Sequence, residues 1–413
     1  MVRVSSSKRV TDVRRRIAAA ALLAVALAGG APAPGLHWTP RDARALVEVI
    51  DKAAAQGLDP AAYAPEAVER AAIADDPARL DAVATAAALE LAGDYAAGRV
   101  PAGQRVGWHI VGPARSEPAL RAAIAGGLEA GRLDAAFEAL LPTHPDYRAL
   151  RAALAQTPPD DVARRRQLRA NLERWRWMPR ELGPRHVLVN VPAFALKLVR
   201  DGQVLEERPV IVGKRSTPTP QFATQIGGVI LNPWWDVPKS IVAESVGSLL
   251  RRHPARAAAQ GYVVQRNADG TTRVRQKPGP QNALGQMKLF MPNPFSVYLH
   301  DTPARGRFDA AERAFSHGCI RVKGAVDFAA LLLEEEPAWN RAQIDQVLAS
   351  GETTKVTLSR SLPVYVAYFT VATRDGALAY FGDPYRRNAG VLSRLDRHAA
   401  VAMAGRAPDN CPA

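Results

Sequence analysis

The hydrophobic period of this chain changes once, near Pro179, and that change limits the fold more than any other feature. From about residue 39 to 156 the sequence is Ala-rich, and its helix-length segments are broken by Pro and Gly. Residues 41–56 carry apolar positions at Ala45, Val47, Val49 and Ile50, and residues 80–97 form another long helical stretch. Nothing in this half pairs a nucleophile with a base, so residues 36–156 read as an all-helical scaffold domain. Beyond Pro179 the pattern alternates as strands do. Residues 187–191 and 194–200 lead into Asp201-Gly202, a strong two-residue hairpin signal, and residues 204–212 form the return strand. Further strand candidates are 229–232, 262–266 with 271–275, 296–300, 356–358 and 364–372, with helical patterns at 241–252 and 325–336. The fold class is therefore α+β: a helical domain followed by a mainly β domain over residues 181–385.

Residues 157–180 join the two. Thr157, Pro158, Pro159, Asp160 and Asp161 run into a capped helix whose Leu168, Leu172 and Trp175 make one apolar stripe. Arg164, Arg165, Arg166, Arg169, Arg174 and Arg176 surround it. Basic residues beside Trp175 and Trp177 resemble a nucleic-acid surface. The reading adopted is a bridging helix, its arginines laying their stems on apolar surface and their heads in water.

An apolar share of 47% and a charged share of 23% exclude a mainly disordered chain. The net charge of +14 is uneven, because six Lys or Arg and one Asp fall within the first 28 residues. There a basic stretch ending at Arg16 precedes a short apolar run and small residues, the pattern of a cleavable secretory signal over 1–28. The mature chain is expected to be exported and not to span a membrane. Only Cys319 and Cys411 are present, and in an oxidising compartment two cysteines suggest one disulfide by default.

The surroundings of Cys319 argue otherwise. A strand ends at His300-Asp301, a loop follows to Phe315, and then comes Ser316-His317-Gly318-Cys319-Ile320-Arg321-Val322. Acyl transfer by a cysteine needs a thiolate, an imidazole to carry its proton and N–H groups aimed at the developing oxyanion. Gly318 lets the chain turn and leaves the Gly318 and Cys319 amides free to point at one oxygen if the backbone turns there. Arg321 shares the Cys319 face of an extended segment, where it binds a carboxylate or lowers the thiol pKa. His317 and His300 compete as the base, and spacing alone does not choose. Tyr298, two residues before His300, is a candidate lining residue. His300, His317 and Cys319 lack zinc-site spacing, there is no phosphate loop, and no metal or organic cofactor is implied.

A His, fifteen residues, then Ser-His-Gly-Cys resembles the signature of the L,D-transpeptidase catalytic domain, the YkuD fold. Arg321 at the position where Asn is common resembles the large Gram-negative YcbB-type branch, as do the segments at 171–177, 232–238 and 277–285. The resemblance implies a capping subdomain at about 232–285 and Cys319 as nucleophile, with His300 as proton donor and acceptor. It implies His317 and Gly318 as oxyanion or positioning groups, and Ser316, Arg321, Tyr298, Trp234 and Asn282 at the substrate. It further implies periplasmic action on peptidoglycan tetrapeptide stems, 3–3 crosslinking and inhibition by carbapenems. Water, a free D-amino acid or a protein lysine are the other acceptors for the same thioester, and a non-catalytic wall-binding scaffold is the alternative of another class. The residues at about 140–165 are too few for the peptidoglycan-binding module usual in that branch. Residues 386–413 read as a tail without interpretable signal.

Overall fold

The computed structural model describes residues 35–266 and 268–397. The signal segment and Cys411 lie outside the described residues. Prolines open most of the scaffold helices, where a fixed φ costs nothing and the missing N–H is not needed. They are α1 Pro40–Asp51, α2 Pro65–Ile73, α3 Pro77–Ala97, α4 Glu117–Glu129, α5 Leu133–Glu138 and α6 Pro145–Gln156. Thr39 and Asp42 form a reciprocal capping box at the start of α1, and His144 Nδ1 accepts the Asp146 N–H at the start of α6.

The next helix, α7 Val162–Arg176, corrects the bridging-helix reading. Its Asn171, Glu173, Arg174 and Arg176 are buried with Leu168, Leu172 and Trp175, so these arginine heads are not in water and Trp175 is no exposed stacking surface. Burial of Glu173 and Arg176 is tolerated because the two charges are paired. Glu173 accepts from Arg176 Nη2 at 2.8 Å, from Trp177 Nε1 at 2.9 Å and from the Val100 N–H at 2.8 Å. Arg176 reaches Gln56 O and the Tyr147 hydroxyl, and Asn171 and Gln167 bond the Thr370 segment. The helix is thus a shared spine of scaffold and β domain.

The strands follow as β1 Arg185–Asn190, β2 Ala195–Arg200, β3 Gln203–Gly213 and β4 Phe222–Leu231. Asp201 and Gly202 both take positive φ in the β2–β3 turn, as a two-residue hairpin of this hand requires. A smaller layer comes next: β5 Trp235–Asp236, α8 Lys239–Ile241, a π turn at Val242–Val246, α9 Gly247–Arg252, α10 Pro254–Ala259, β6 Tyr262–Arg266 and β7 Thr272–Gln276. It has its own sheet, β5-β7-β6, and its own apolar cluster of Val237, Val246 and Val274. The main sheet resumes with β8 Met287–Phe290, β9 Leu299–His300, β10 Ala314–Ser316 and β11 Ile320–Val322. Then come α11 Ala325–Leu333, α12 Arg341–Ser350, β12 Thr354–Ala367, β13 Val371–Arg374 and β14 Ala377–Tyr380. Its order is β10-β3-β11-β9-β8-β4-β12-β1-β2, and β3 also pairs with β2, so the row of strands returns on itself.

The supposed tail contributes a last helix, α13 Asn388–Leu395, whose Val391, Leu392 and Leu395 are buried beside α7. That correction has a readable cause, an apolar stripe at i, i+1 and i+4. From Leu36 onward the described chain forms one compact unit. No helix among the described residues is long and apolar enough to cross a membrane.

Candidate active site

Two short strands position the chemistry. β9 and β11 run parallel, with Leu299 opposite Ile320 and His300 opposite Arg321. Leu299 and Ile320 are fully buried in the core, so by strand alternation Tyr298, His300, Cys319 and Arg321 share the other face. β8 adds Lys288 to that face, opposite His300, and its ammonium lies 4.8 Å from the centre of the Tyr298 ring. Lys288 is a site residue that motif spacing did not reveal; its signal was the strand at 287–290, too short to stand out.

Cys319 is a free thiol, half-buried, with Sγ 3.7 Å from the carbonyl of Ser296, a residue in the left-handed region at φ 53°. Burial pushes the thiol pKa up, against the Tyr298 backbone, Arg321 and Lys288, which pull it down. The thiol is thus neutral near pH 7 and needs a base. His300 is buried, with Nδ1 2.5 Å from Asp301 O. Burial first, then the Arg321 and Lys288 charges, lower its pKa to about 3, so the ring is neutral and able to accept a proton. A tautomer that donates Nδ1–H to Asp301 leaves the other nitrogen unprotonated.

The turn before Cys319 departs from the extended segment expected. Gly318 has φ 113°, which reorients the chain between His317 and Cys319. His317 is consequently turned to the small layer, where its Nε2 lies 2.8 Å from Glu244 Oε2 on the π turn; Lys214 Nζ is 3.2 Å from the other Glu244 oxygen. His317 Nε2 is thus engaged by Glu244, with Lys214 Nζ 3.4 Å away. The Gly318 amide is not free either, since it donates to Ser316 Oγ at 3.1 Å. Ser316, expected at the substrate, is buried and spans the turn, its hydroxyl donating to Cys319 O at 2.5 Å. Of the two amides expected to be free, the Cys319 N–H has no partner among the described residues.

Behind the turn, Thr219 Oγ1 donates to Gly318 O at 2.8 Å and accepts the Gly213 N–H, while the Tyr385 hydroxyl donates to Gly213 O at 2.7 Å. Asn282, also expected at the substrate, is buried with its amide donating to Pro233 O and Lys277 O and its oxygen accepting the Leu284 N–H. It holds the loop whose Leu284 carbonyl faces His300. Trp234 packs at the root of the small layer with the Arg275 guanidinium 4.4 Å from its ring centre. Arg321 keeps a buried Nε without a partner among the described residues, next to Cys319. No group of three His, Cys, Asp or Glu side chains among them is arranged to hold a metal ion.

A closed, mainly β domain with this His and Cys pair on one face defines a class, and the comparisons identify it. Residues 184–356 match the L,D-transpeptidase catalytic domain (YkuD), and residues 31–154 match the scaffold domain. The chain thus carries a helical scaffold domain ahead of an L,D-transpeptidase catalytic domain. A Haemophilus influenzae protein named "Putative L,D-transpeptidase" is 32% identical over 215 residues, 48% of this chain and 44% of that protein, so the match spans less than half of the relative. Among solved structures, the catalytic domain from E. faecium L,D-transpeptidase acylated by ertapenem is 14% identical, covering 45% of this chain and 99% of that one, with a TM-score of 0.22. An L,D-transpeptidase from Mycobacterium smegmatis is 14% identical over 45% of this chain and 58% of that one, with a TM-score of 0.23.

Proposed function

We propose that this chain is an exported peptidoglycan L,D-transpeptidase that forms 3–3 crosslinks in the periplasm. The observation that carries the reading is the pairing of β9 with β11, which sets a neutral His300 and a protonated Cys319 on one face. His300 takes the thiol proton as Sγ attacks the carbonyl between positions 3 and 4 of a tetrapeptide stem. The C–N bond breaks, the proton passes to departing D-alanine, and an acyl-thioester remains. The amine of a second stem then attacks, losing its proton to His300, and the thiol is released with the crosslink formed. The Cys319 N–H faces the tetrahedral oxygen, and Arg321 and Lys288 supply positive charge for the thiolate and for a stem carboxylate.

Intact-mass analysis of the mature protein after incubation with a carbapenem tests the acylation step. The expected result is one adduct on the wild type, none on Cys319→Ala, and acylation slowed about a hundred- to ten-thousandfold in His300→Ala. An adduct on Cys319→Ala, or none on folded wild type, overturns the mechanism. Muropeptide analysis with tetrapeptide stems then tests the acceptor: free tripeptide without crosslinked dimer replaces crosslinking by hydrolysis.

A further inference from the structure

A cavity of about 300 Å³ lies behind the catalytic turn, between the scaffold, the spine helix α7 and α13, and six arginines line it: Arg105, Arg174, Arg215, Arg386, Arg387 and Arg394. None of its lining residues is acidic. Among the described residues none of the six makes an ion pair, although Arg99, Arg169, Arg176 and Arg185, likewise partly or fully buried, do. The nearest carboxylates are committed elsewhere. Glu173 accepts from Arg176, Trp177 and Val100, and Asp383 accepts from the Tyr368 hydroxyl and from the Arg387 and Asn388 amides.

Aromatic rings hold the inner cations instead. Arg174 stands 5.1 Å over Tyr368, Arg387 5.3 Å over Tyr368 and 5.2 Å over Tyr385, and Arg105 4.9 Å over Trp177. A ring occupies the face of a guanidinium and leaves its N–H edge open. Arg105 donates to Val100 O and Ala97 O, Arg174 to Asn388 Oδ1 and Arg394 to Gly390 O, but Arg174 Nη2, Arg387 Nη1 and Arg394 Nε are buried without a partner among the described residues, and Trp108 Nε1 adds a fourth such donor in the same wall. Arg174 is only 1% exposed. Donors so placed are costly unless something accepts from them. Burial also pulls Arg105 and Arg174 down to about 10, although Glu173 opposes the shift of Arg105 and Tyr368 and Asp383 oppose that of Arg174.

We propose that this cavity is a binding site for a diphosphate group. The fork of a guanidinium matches phosphate oxygens two at a time, and several uncompensated cations call for a ligand with more than one negative charge and many acceptors. The rings are already covered by arginines, so the ligand is recognised by its anion and not by stacking. Arg215 and Arg386 are exposed at the rim, where they draw such an anion in.

Isothermal titration of the mature protein with inorganic diphosphate at 0.15 M NaCl tests the site, and it does not depend on Cys319 chemistry. The expected result is one saturable site, weakened at least tenfold by Arg387→Gln and by Arg394→Gln and unchanged by Arg252→Gln, which removes an equal charge from the surface of the small layer. Circular dichroism checks that each variant is folded. Citrate is the second probe and is expected to bind at least tenfold more weakly. Geranyl diphosphate and uridine diphosphate then show whether the group is carried on an apolar chain or a nucleoside, by which of them binds more tightly than diphosphate itself. Absence of saturable binding to wild type, equal weakening by Arg252→Gln, or citrate binding as tightly as diphosphate overturns the proposal.

Discussion

At the scale of single residues, the site runs on two cations that act on two partners at once. Arg321 and Lys288 each lower the His300 pKa, and each also lowers that of the Cys319 thiol. Removing either charge therefore raises both. In the wild type the acid limb of kcat/KM, where His300 becomes protonated, is expected far below the ordinary histidine value near 6.5, because His300 sits at about 3. Arg321→Met moves that limb upward and Lys288→Met moves it upward by less, since Arg321 is the larger influence on His300; acylation at neutral pH slows in both. A pH profile of carbapenem acylation checks this, and an acid limb that stays put or moves down in Arg321→Met is the contrary result. Ser316 offers a separate test. Its hydroxyl serves Gly318 and Cys319 together, so Ser316→Ala is expected to slow acylation about tenfold or more and, with two buried hydrogen bonds lost, to cost roughly 1–3 kcal/mol of stability in urea unfolding. These roles were only half legible in the sequence. The Ser-His-Gly-Cys run marks the nucleophile because that chemistry needs those residue types in sequence. Which histidine faces the thiol depends on one positive φ at Gly318 and on the pairing of two short strands, and neither leaves a local pattern.

At the scale of elements, α7 is the part most at odds with its sequence. Its arginines look like a solvated face, yet Glu173 and Arg176 form a fully buried pair that also binds Val100, Trp177, Gln56 and Tyr147. Charge counting cannot see this, because whether an arginine is solvated depends on elements 29 to 120 residues away. Glu173→Ala leaves Arg176 buried without its carboxylate, and a loss of about 3–5 kcal/mol is expected. Urea unfolding measures it; a loss below about 1 kcal/mol shows the pair to be dispensable. The strands of the hairpin at Asp201-Gly202 were legible for the opposite reason, their information being local. The small layer is joined to the catalytic turn through Glu244, which meets both His317 and Lys214 on exposed surface. Salt screens such contacts. Glu244→Gln is expected to speed hydrogen exchange across Val242–Val246 at low salt and to matter less at high salt; unchanged exchange at low salt shows that other contacts hold the layer.

At the scale of the whole molecule, two buried histidines, His186 and His300, and the half-buried His144 tie stability to pH. His144 is lowered to about 4 by burial, His186 is lowered by burial, and His300 is lowered to about 3. His144 stacks on Trp175 at 4.0 Å and needs an unprotonated Nδ1 to accept the Asp146 N–H that starts α6. In each case the folded value lies below the unfolded one near 6.5, so as pH falls the unfolded chain takes up the proton first. Stability is then level above about pH 6.5 and falls below it, for His144 and His300 until their folded values are reached at about 4 and about 3. His144 and His300 each contribute a slope approaching roughly 1.4 kcal/mol per pH unit, so the two together give about 3 kcal/mol per unit between about pH 6 and 4, and His186 acts in the same direction. Carboxylates add to this only in stronger acid, which leaves the window between pH 6.5 and 5 to the histidines. Urea midpoints at pH 7.5, 6 and 5, with the m-value held constant, measure the slope. His144→Asn keeps a cap acceptor and removes one titration, so it is expected to be less stable than wild type at pH 7.5 but to have a shallower slope, by roughly 1 kcal/mol per pH unit. An undiminished slope in that variant assigns the acid sensitivity to groups other than His144.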